Sequence, residues 1–308
     1  MISKIKKLYK YLQMLPFLEK KLNLYGKEIH YLMPEIISFN EEGTNTIHKF
    51  LEQYNVSPDL NTNISKNDIM FKYLLYNHNS VNEAIYHYLQ TGFNSLNVIE
   101  KLVNQKTRGF DKINSFLDFA SGYGRVTRFL ITKIAPEKIS VSEIKEQAVR
   151  FQKEQFGVNG FLSSFIPEKF NPDRKFDFIF VGSFFSHVPH DVFERWLKIL
   201  YDLLSDKGIL AITVHDISLI NHWACTEYKF HCNNEDLMFK EVDNYIDDGN
   251  KYGTTYVRES YMLKVFKNIG IHNNQYCRYK KASRKVQDIY VITKDKTVFD
   301  DTLDFYDG

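Results

Sequence analysis

LDFASGYGR, residues 117–125, is the stretch of sequence that decides how this chain folds. The apolar run INSFLDF at 113–119 is typical of a buried strand, and GRVTRFLITKIAP at 124–136 has the apolar spacing of a helix that a proline ends. A strand, a glycine turn and a helix in this order form a nucleotide-type site, because Gly122 and Gly124 let the backbone approach a ligand beyond the strand. A tight structural turn is the alternative explanation of a lone glycine loop.

Strands and helices alternate after this loop. Further strands are predicted at 138–143, 160–164, 175–183 and 208–216, with helices at 145–157 and 192–208. After a long insertion, a helix is predicted at 258–270 and two closing strands at 273–280 and 286–294. Such alternation is typical of a parallel sheet that helices cover on both faces. We therefore predict an α/β fold: a Rossmann-like, doubly wound domain with a mostly parallel seven-stranded sheet.

The chain before this domain has a helical pattern. Apolar residues recur at helical spacing in 1–55 and again in 84–103, where a break is predicted near Gly92, and the Pro, Asn and Ser content of 56–68 predicts a linker. The predicted divisions are an N-terminal helical extension at 1–105, the α/β domain at 106–295 and a C-terminal tail at 296–308. The extension could cap the site, recognise an acceptor or form a homo-oligomer interface, and the sequence favours none of these.

The residues around the loop discriminate between two nucleotide-type ligands. Glu143 ends the second predicted strand, about twenty residues after the loop, where a carboxylate can accept hydrogen bonds from both ribose hydroxyls. A dinucleotide such as NAD also needs a third glycine, so that the helix N-terminus packs against the pyrophosphate, and Thr127 occupies that position. Asp118 is poorly placed for a diphosphate and suits an ammonium group. S-adenosylmethionine (SAM), which has a cationic methionine portion and no phosphate, fits the loop better than NAD.

These motifs resemble those of class I SAM-dependent methyltransferases, and the resemblance extends over nearly all of 113–294. Asp118 to Gly124 resembles the first motif of the family, and Glu143 resembles its acidic residue after the second strand. FDFIFVGSFFSHVP and LLSDKGILAITVHD resemble its fourth strand and its fifth strand. Ala120 stands where the usual motif has its first glycine, and an alanine is tolerated there if the backbone φ is not positive. The resemblance implies a methyltransferase of the bacterial small-molecule or glycan-modifying type.

The predicted site follows the loop and the ends of the neighbouring strands. The residues predicted to bind the cofactor are Asp118, Ala120, Ser121, Gly122, Tyr123, Gly124, Glu143, Ser164 and Ser183. His187 and His215, after the fourth and fifth strands, are the catalytic candidates, with helix-cap or packing roles as the alternative. An alcohol acceptor needs a base, and we predict that His187 is that base, because the pKa of an imidazole suits neutral operation. Tyr88 resembles the family's aromatic residue that leans over the cofactor, or belongs to the core.

No metal is predicted to take part. His222, Cys225, His231 and Cys232 match no paired-ligand spacing, and an adjacent His–Cys pair is awkward for one tetrahedral centre. An irregular segment that closes over the acceptor is the favoured interpretation. The chain has three cysteines in no framework spacing, which indicates a reducing compartment.

Composition and charge limit the function classes. The formal net charge is +2, so no whole-protein basic field points to a nucleic-acid partner. No apolar run approaches the ~20 residues of a transmembrane helix, and the N-terminus lacks a signal peptide pattern, so a cytoplasmic location is predicted. The predicted function is SAM-dependent O-methylation of a small-molecule or glycan hydroxyl. The alternatives are an NAD-dependent oxidoreductase and a non-catalytic methyltransferase-like scaffold.

Overall fold

The computed structural model describes residues 29–33, 36–220, 236–241, 253–295 and 305. Within these ranges the strands are β1 (Ile29–Met33), β2 (Ile36–Phe39), β3 (Phe116–Phe119), β4 (Ile139–Glu143), β5 (Asn159–Leu162), β6 (Phe176–Val181), β7 (Leu204–Asp216), β8 (Leu237–Glu241), β9 (Gly253–Val257), β10 (Tyr276–Ser283) and β11 (Gln287–Thr293). The α-helices are α1 (Glu41–Gln53), α2 (Ile69–Asn77), α3 (Val81–Thr107), α4 (Thr127–Leu130), α5 (Glu146–Phe156), α6 (His190–Asp202) and α7 (Glu259–Ile269).

The central sheet has the predicted architecture. Its strand order is β10-β11-β7-β6-β3-β4-β5. The neighbours from β5 to β7 in this order are parallel, whereas β11 is antiparallel to both β7 and β10. The prediction of a Rossmann-like, mostly parallel seven-stranded sheet is therefore confirmed.

The topology gathers several strand ends at one edge. The chain adds β4 and β5 on one side of β3 and then returns to add β6 and β7 on the other side. A crevice forms at such a switch point, outside the carboxyl ends of the parallel strands. The segments that follow β3, β4, β6 and β7 therefore share one edge of the sheet, which we call the carboxyl edge.

A further pair of strands extends the sheet at the carboxyl edge. Strand β9 runs parallel to the end of β7, pairing His215 with Tyr256 and Asp216 with Val257, and β8 is antiparallel to β9. Both strands come from the segment that the sequence predicts as a long insertion. The insertion therefore adds a wall beside the end of β7.

The prediction of helices throughout 1–55 is wrong for two segments. β1 and β2 form an antiparallel pair, and Ile37 N–H donates to the main-chain oxygen of Ile64 at 2.9 Å. The β-branched and aromatic side chains of IHYLM and IISF favour strands, and Pro34 in the sequence between them disfavours a continuous helix. Residues 1–28, with their seven lysines, lie outside the described residues.

The predicted break near Gly92 is also wrong, because α3 runs without interruption through this residue. A Cβ atom at Gly92 would lie 2.1 Å from the main-chain oxygen of Arg125 and 2.8 Å from a ring carbon of Phe129. The glycine therefore lets α3 pack closely against the segment after the glycine loop.

The predicted linker at 56–68 is irregular but closely packed. Leu60 and Ile64 are buried, and Asn61 Nδ2 and Asn63 Nδ2 donate to the main-chain and side-chain oxygens of Gln155 in α5, at 2.6 and 2.8 Å. One buried cluster joins side chains of α1–α3 to side chains of the sheet. The segment therefore fixes the N-terminal layer to the helix beside the loop.

Candidate functional site

The glycine loop lies at the carboxyl edge, directly after β3. Gly122 and Gly124 both have positive φ, of +59° and +78°. A Cβ at Gly124 would lie 2.4 Å from a ring carbon of Phe156, whereas a Cβ at Gly122 would meet no atom within 4 Å. Packing beneath the loop thus requires Gly124, and the space beside Gly122 is open. A ligand of the predicted kind fits here, because it can approach the backbone of Gly122 without obstruction.

Ala120 does not meet the condition under which we expected an alanine to be tolerated, because its backbone φ is positive. The φ of Ala120 is +55°, in the left-handed region, which costs an L-residue roughly 1–2 kcal/mol. The surrounding hydrogen bonds hold this conformation, since Ser121 N–H donates to the main-chain oxygen of Ser142 at 3.1 Å. The alanine is therefore a strained replacement at a position where glycine would be relaxed.

Glu143 contacts the loop directly from the end of β4. Its Oε2 accepts from Gly122 N–H at 2.9 Å, and its Oε1 accepts from Ile144 N–H at 2.8 Å. Burial raises the pKa of Glu143, and the two main-chain donors oppose this rise. Each carboxylate oxygen has a second acceptor site, so Glu143 can hold the loop and still accept hydrogen bonds from a ligand hydroxyl.

Asp118 is buried beneath the loop in a polar chain. The Thr127 hydroxyl lies 2.8 Å from Asp118 Oδ2 and 2.9 Å from Gln152 Oε1. Gln152 Nε2 donates to the main-chain oxygen of Gly122 at 2.9 Å, which identifies Oε1 as the acceptor on the other side. The Thr127 hydroxyl has a single hydrogen, so both contacts are hydrogen bonds when Asp118 is protonated and donates to the hydroxyl, which in turn donates to Gln152. Burial raises the pKa of Asp118 to about 7, opposed by the hydrogen bond from Thr127 and assisted by the charge of Glu143.

The helix after the loop is much shorter than predicted. α4 has four residues, Thr127–Leu130, where the sequence predicts a helix over 124–136. Arg128 in α4 is fully buried and holds the segment by donating from Nε to the main-chain oxygen of Gly124 and from Nη1 to that of Asn61, both at 3.3 Å. The residues on either side of α4 form turns that keep some helical bonds, since Arg128 N–H donates to the main-chain oxygen of Gly124 at 3.1 Å and Ile134 N–H donates to that of Leu130 at 2.9 Å.

His187 lies in the turn after β6 and is held by β9. Its Nδ1 is 2.8 Å from the main-chain oxygen of Gly253, and Gly253 N–H donates to the main-chain oxygen of His187 at 3.0 Å. A carbonyl can only accept, so Nδ1 has the proton and Nε2 has the lone pair. Burial lowers the pKa of His187, and the bond to Gly253 opposes this effect.

His215 lies at the end of β7 and stacks on Tyr256, with ring centroids 5.0 Å apart. Gln287 Nε2 lies 3.2 Å from His215 Nε2, so the imidazole nitrogen accepts and the proton is on Nδ1. This Nδ1 is buried and makes no hydrogen bond to the described residues. Burial lowers the pKa of His215 to about 4, assisted by the charges of His187 and Arg284.

Residues 117–210 match a family model described as a methyltransferase domain. This part of the chain is therefore similar to a methyltransferase domain. No curated protein sequence matches the chain.

Solved structures resemble the chain at low identity. The chain is similar to an S-adenosylmethionine-dependent methyltransferase from Clostridium acetobutylicum ATCC 824, with 14% identity, 67% of this chain and 91% of that chain covered, and a TM-score of 0.46. It is similar to DesVI from Streptomyces venezuelae, with 11% identity, 68% and 92% covered, and a TM-score of 0.47. For the sugar N-methyltransferase KedS8 from Streptoalloteichus sp. ATCC 53650, the identity is 12%, the covered shares are 64% and 85%, and the TM-score is 0.45.

Most of the predicted site residues lie at the carboxyl edge, with different exposures. Tyr123 lies in the loop but is buried, with its ring centroid 5.7 Å from that of Phe151. Ser164 is half-buried after β5, and its hydroxyl accepts from Ile166 N–H at 3.1 Å. Ser183 has a φ of +63°, and its N–H donates to the Thr213 hydroxyl at 2.7 Å.

Three residues beside the predicted site were missed by the sequence analysis. Gln152 donates to Ser121 Oγ at 2.8 Å as well as to the loop backbone. Gln287 accepts from Ser183 Oγ at 3.2 Å and contacts His215. Leu162, at the end of β5, is 57% exposed and pairs in register with Glu143. The two glutamines could have been found in the sequence as polar residues on the buried face of a helix or strand. Leu162 has no such signal in the sequence.

Tyr88 belongs to the core of the N-terminal layer and contacts the segment after the glycine loop through Arg128. It is fully buried, its hydroxyl donates to Asp68 Oδ2 at 2.6 Å, and Arg128 Nη2 donates to the same hydroxyl at 3.3 Å. Burial accordingly raises the pKa of Tyr88. These contacts support the interpretation of Tyr88 as a core residue.

Some sequence predictions fall outside what the structure describes. His222, Cys225, His231 and Cys232 all lie there. Within the described ranges, no three His, Cys, Asp or Glu side chains are grouped as they would be around a metal ion. None of the helices in those ranges is long and apolar enough to cross a membrane.

Proposed function

We propose that the protein transfers a methyl group from SAM to a hydroxyl of a small molecule or glycan, with His187 as the general base. The observation that supports this most is the tautomer of His187. Its Nδ1 proton is directed at the Gly253 carbonyl at 2.8 Å, so Nε2 is the ring nitrogen that can accept a proton. The residue follows β6, at the same edge as the glycine loop that follows β3.

Three residues would hold the cofactor in this proposal. The ribose hydroxyls would donate to Glu143, whose oxygens retain acceptor sites beside their bonds to Gly122 and Ile144. The open space at Gly122 would admit the ligand against the backbone. The adenine would contact Leu162, whose exposed apolar side chain lies beside Glu143. When bound, SAM supplies a methyl group on a sulfonium, which is already activated for in-line displacement.

The chain's own residues then have three tasks: to align the acceptor, to exclude water and to accept the proton of the hydroxyl. His187 is neutral because burial lowers its pKa, so its Nε2 can accept that proton. The Gly253 carbonyl stabilises the resulting imidazolium through Nδ1–H. General base catalysis of this kind is typically worth ~10²–10⁴-fold in rate.

An NAD-dependent oxidoreductase is the less favoured function. The hydroxyl of Thr127, at the position of the third dinucleotide glycine, is buried between Asp118 and Gln152. α4 has only four residues, so it does not offer the helix N-terminus that binds a pyrophosphate. The loop therefore fits a ligand without a diphosphate.

Thermal unfolding with SAM, S-adenosylhomocysteine and NAD tests the cofactor. Stabilisation follows ~RT ln(1 + [L]/Kd), so SAM at about 100 times its Kd should add ~2.7 kcal/mol to the free energy of unfolding. Stabilisation by NAD alone would favour the oxidoreductase, and no response to any of the three would favour the scaffold. Labelled SAM with matched alcohol and amine sugars then tests the acceptor, and transfer to the amines alone would reject a hydroxyl.

A further inference from the structure

Gln287 is a buried amide at the carboxyl edge that contacts residues around both predicted catalytic histidines. It is the first residue of β11 and is 2% exposed. Because β11 is antiparallel to β7, this residue lies beside the end of β7, where His215 is found. Its Oε1 accepts from Ser183 Oγ at 3.2 Å, and its Nε2 lies 3.0 Å from Ser186 Oγ and 3.2 Å from His215 Nε2. Gln287 therefore joins the end of β7 to the turn that leads into His187.

The orientation of this amide follows from the hydroxyl of Ser186. Ser186 Oγ donates its single hydrogen to the main-chain oxygen of Ser183 at 2.6 Å, because a carbonyl can only accept. The hydroxyl oxygen must therefore accept from Gln287, so the amide atom beside it is the nitrogen. The opposite orientation would place two oxygens together with no hydrogen between them. One hydroxyl thus determines which end of the amide faces His215.

This orientation determines the state of His215. The amide nitrogen of Gln287 has two hydrogens, one directed at Ser186 Oγ and the other at His215 Nε2. A proton on His215 Nε2 would face that second N–H group, and neither group could then accept. His215 is therefore held in its neutral Nδ1–H tautomer, and its Nε2 lone pair already accepts a hydrogen bond.

The charges around His215 act in the same direction as this hydrogen bond. The titratable groups that neighbouring elements place near it are those of His187, Tyr256 and Arg284. Burial lowers the pKa of His215 to about 4, assisted by the charges of the histidine and the arginine in this group. The carboxylates of Asp216 and Asp288 each pair with Arg278 at 2.6 Å, so the arginine offsets their charge beside the imidazole.

We propose that Gln287 is a positioning residue that keeps His215 neutral with its Nε2 occupied, so that His187 alone accepts the proton of the acceptor hydroxyl. The proposal rests on the proposed function, because it concerns which histidine is the base of that reaction. The two imidazoles are close enough for the charge of His187 to lower the pKa of His215. A second imidazolium would likewise oppose the positive charge that forms on His187 when it takes the proton. Gln287 prevents this second charge.

Nitrogen NMR of the histidine side chains in the full chain tests the positioning without SAM or an acceptor. The signals that disappear in His215→Ala identify this residue. In the wild type they should show the Nδ1–H tautomer and titrate at about pH 4. Gln287→Glu keeps the shape of the side chain but gives a carboxylate, which can only accept when it is ionised. The proton of His215 should then move to Nε2, and its pKa should rise by about one to three pH units.

Gln287→Met is the second variant, because it removes the amide without placing a charge in the core. His215 Nε2 then has no donor, so its nitrogen signal should move to that of an unbonded lone pair or of a protonated nitrogen. Wild-type tautomer, nitrogen signals and pKa of His215 in the folded variants would overturn the proposal.

The matched control is Gln275, a buried glutamine at the other end of β11. It is 6% exposed, and its Nε2 donates to the main-chain oxygen of Lys294 at 2.7 Å. The seven residues of β11 separate the two glutamines by about 20 Å. Gln275→Glu and Gln275→Met should therefore leave the signals and the pKa of His215 as in the wild type. Equal changes at His215 from both glutamines would overturn the proposal, because they would indicate a general loss of packing.

Methyl transfer from labelled SAM to the alcohol sugars connects the positioning to the reaction. In Gln287→Glu the acid limb of the kcat profile should move to higher pH together with the pKa of His215, and the Kd for SAM should stay within a few-fold. An acid limb that does not move would overturn the role of Gln287. Loss of transfer in the wild type, with the NMR changes as expected, would reject the proposed function and with it this role. Unchanged NMR signals in a chain that transfers methyl groups would reject Gln287 alone.

Discussion

His187 and Gly253 hold each other through two hydrogen bonds. The imidazole Nδ1 donates to the Gly253 carbonyl at 2.8 Å, and the Gly253 amide donates back to the carbonyl of His187 at 3.0 Å. The hydroxyl of Thr255 adds a third bond between the same segments, to the main-chain oxygen of Val188 at 2.6 Å. β9 therefore orients the imidazole and selects its tautomer, which are the two conditions that a general base needs.

Replacement of this imidazole should affect the chemical step. His187→Ala should lower kcat by ~10²–10⁴-fold and leave the Kd for SAM within a few-fold. Because burial lowers the pKa of His187 from 6.5, the acid limb of the wild-type pH–rate profile should lie below pH 6.5 and vanish in the variant. Steady-state kinetics between pH 4.5 and about 9, with calorimetry for SAM, measures both effects.

His215→Ala is the control for that assignment. His215 accepts from Gln287 and is neutral in the same region, so a general loss of packing would affect it too. A larger loss in His215→Ala, with His187→Ala within threefold of wild type, would move the base to His215. If neither variant loses activity, the acceptor does not need a base, as expected of a neutral amine.

Removal of the carboxylate at the end of β4 should weaken cofactor binding. Glu143→Ala loses a charged acceptor worth ~1.5–3 kcal/mol, which is roughly a 10- to 150-fold weaker Kd for SAM. The variant also removes the hydrogen-bond acceptor of Gly122 N–H and Ile144 N–H. Circular dichroism must therefore show that the sheet is intact. Unchanged SAM affinity in a folded variant would exclude Glu143 from the site.

Gly122 and Gly270 form a matched pair for the loop. Both have positive φ, +59° and +83°, and a Cβ at either would meet no atom within 4 Å. Gly122→Val and Gly270→Val should therefore have similar costs in stability, since a β-branched side chain is strained at such φ. Only Gly122→Val should abolish SAM binding in calorimetry. Normal binding by this variant would show that the ligand lies elsewhere.

Sequence patterns predicted the sheet because its central strands are buried. β3 and β6 have almost no exposed residue, so their apolar runs are continuous, and the strand boundaries follow from glycines and polar residues. The same reasoning misread Gly92, since a glycine that admits a neighbouring backbone looks in sequence like one that ends a helix. β1 and β2 are too short for an alternating pattern of apolar residues to be recognised in the sequence. The hydrogen bonds of Gln152 and Gln287 depend on tertiary contacts that spacing does not encode.

Glycine, the residue that the family resemblance predicts at position 120, should relieve the strain at Ala120. Ala120→Gly should raise the free energy of unfolding by ~0.5–1 kcal/mol, because glycine has no penalty at a φ of +55°. Urea unfolding measures the change. Ala135→Gly is the control, since Ala135 is exposed at a φ of −56° and its replacement should be neutral or destabilising. A loss of stability in Ala120→Gly would show that the methyl group contributes more by packing than its backbone costs.

The polar chain beneath the loop predicts a pH dependence of stability. The folded-state pKa of Asp118, about 7, is raised above its ordinary value of 3.8, so the folded state favours the protonated carboxyl. This contribution is complete below pH 3.8 and is lost as pH rises toward and through 7, by an amount on the order of 2 kcal/mol between pH 5 and 8. Asp118→Asn keeps a donor to the Thr127 hydroxyl and cannot ionise.

The free energy of unfolding of Asp118→Asn, relative to wild type, should therefore rise between pH 5 and pH 8. Asp173→Asn removes the same charge from an exposed turn and should keep the wild-type pH dependence. Urea unfolding at pH 5, 6, 7 and 8 measures all three proteins. A constant difference between wild type and Asp118→Asn across this range would mean that the carboxyl is ionised throughout. The Thr127 hydroxyl would then donate to Asp118 alone, and Gln152 Oε1 would face it without a hydrogen.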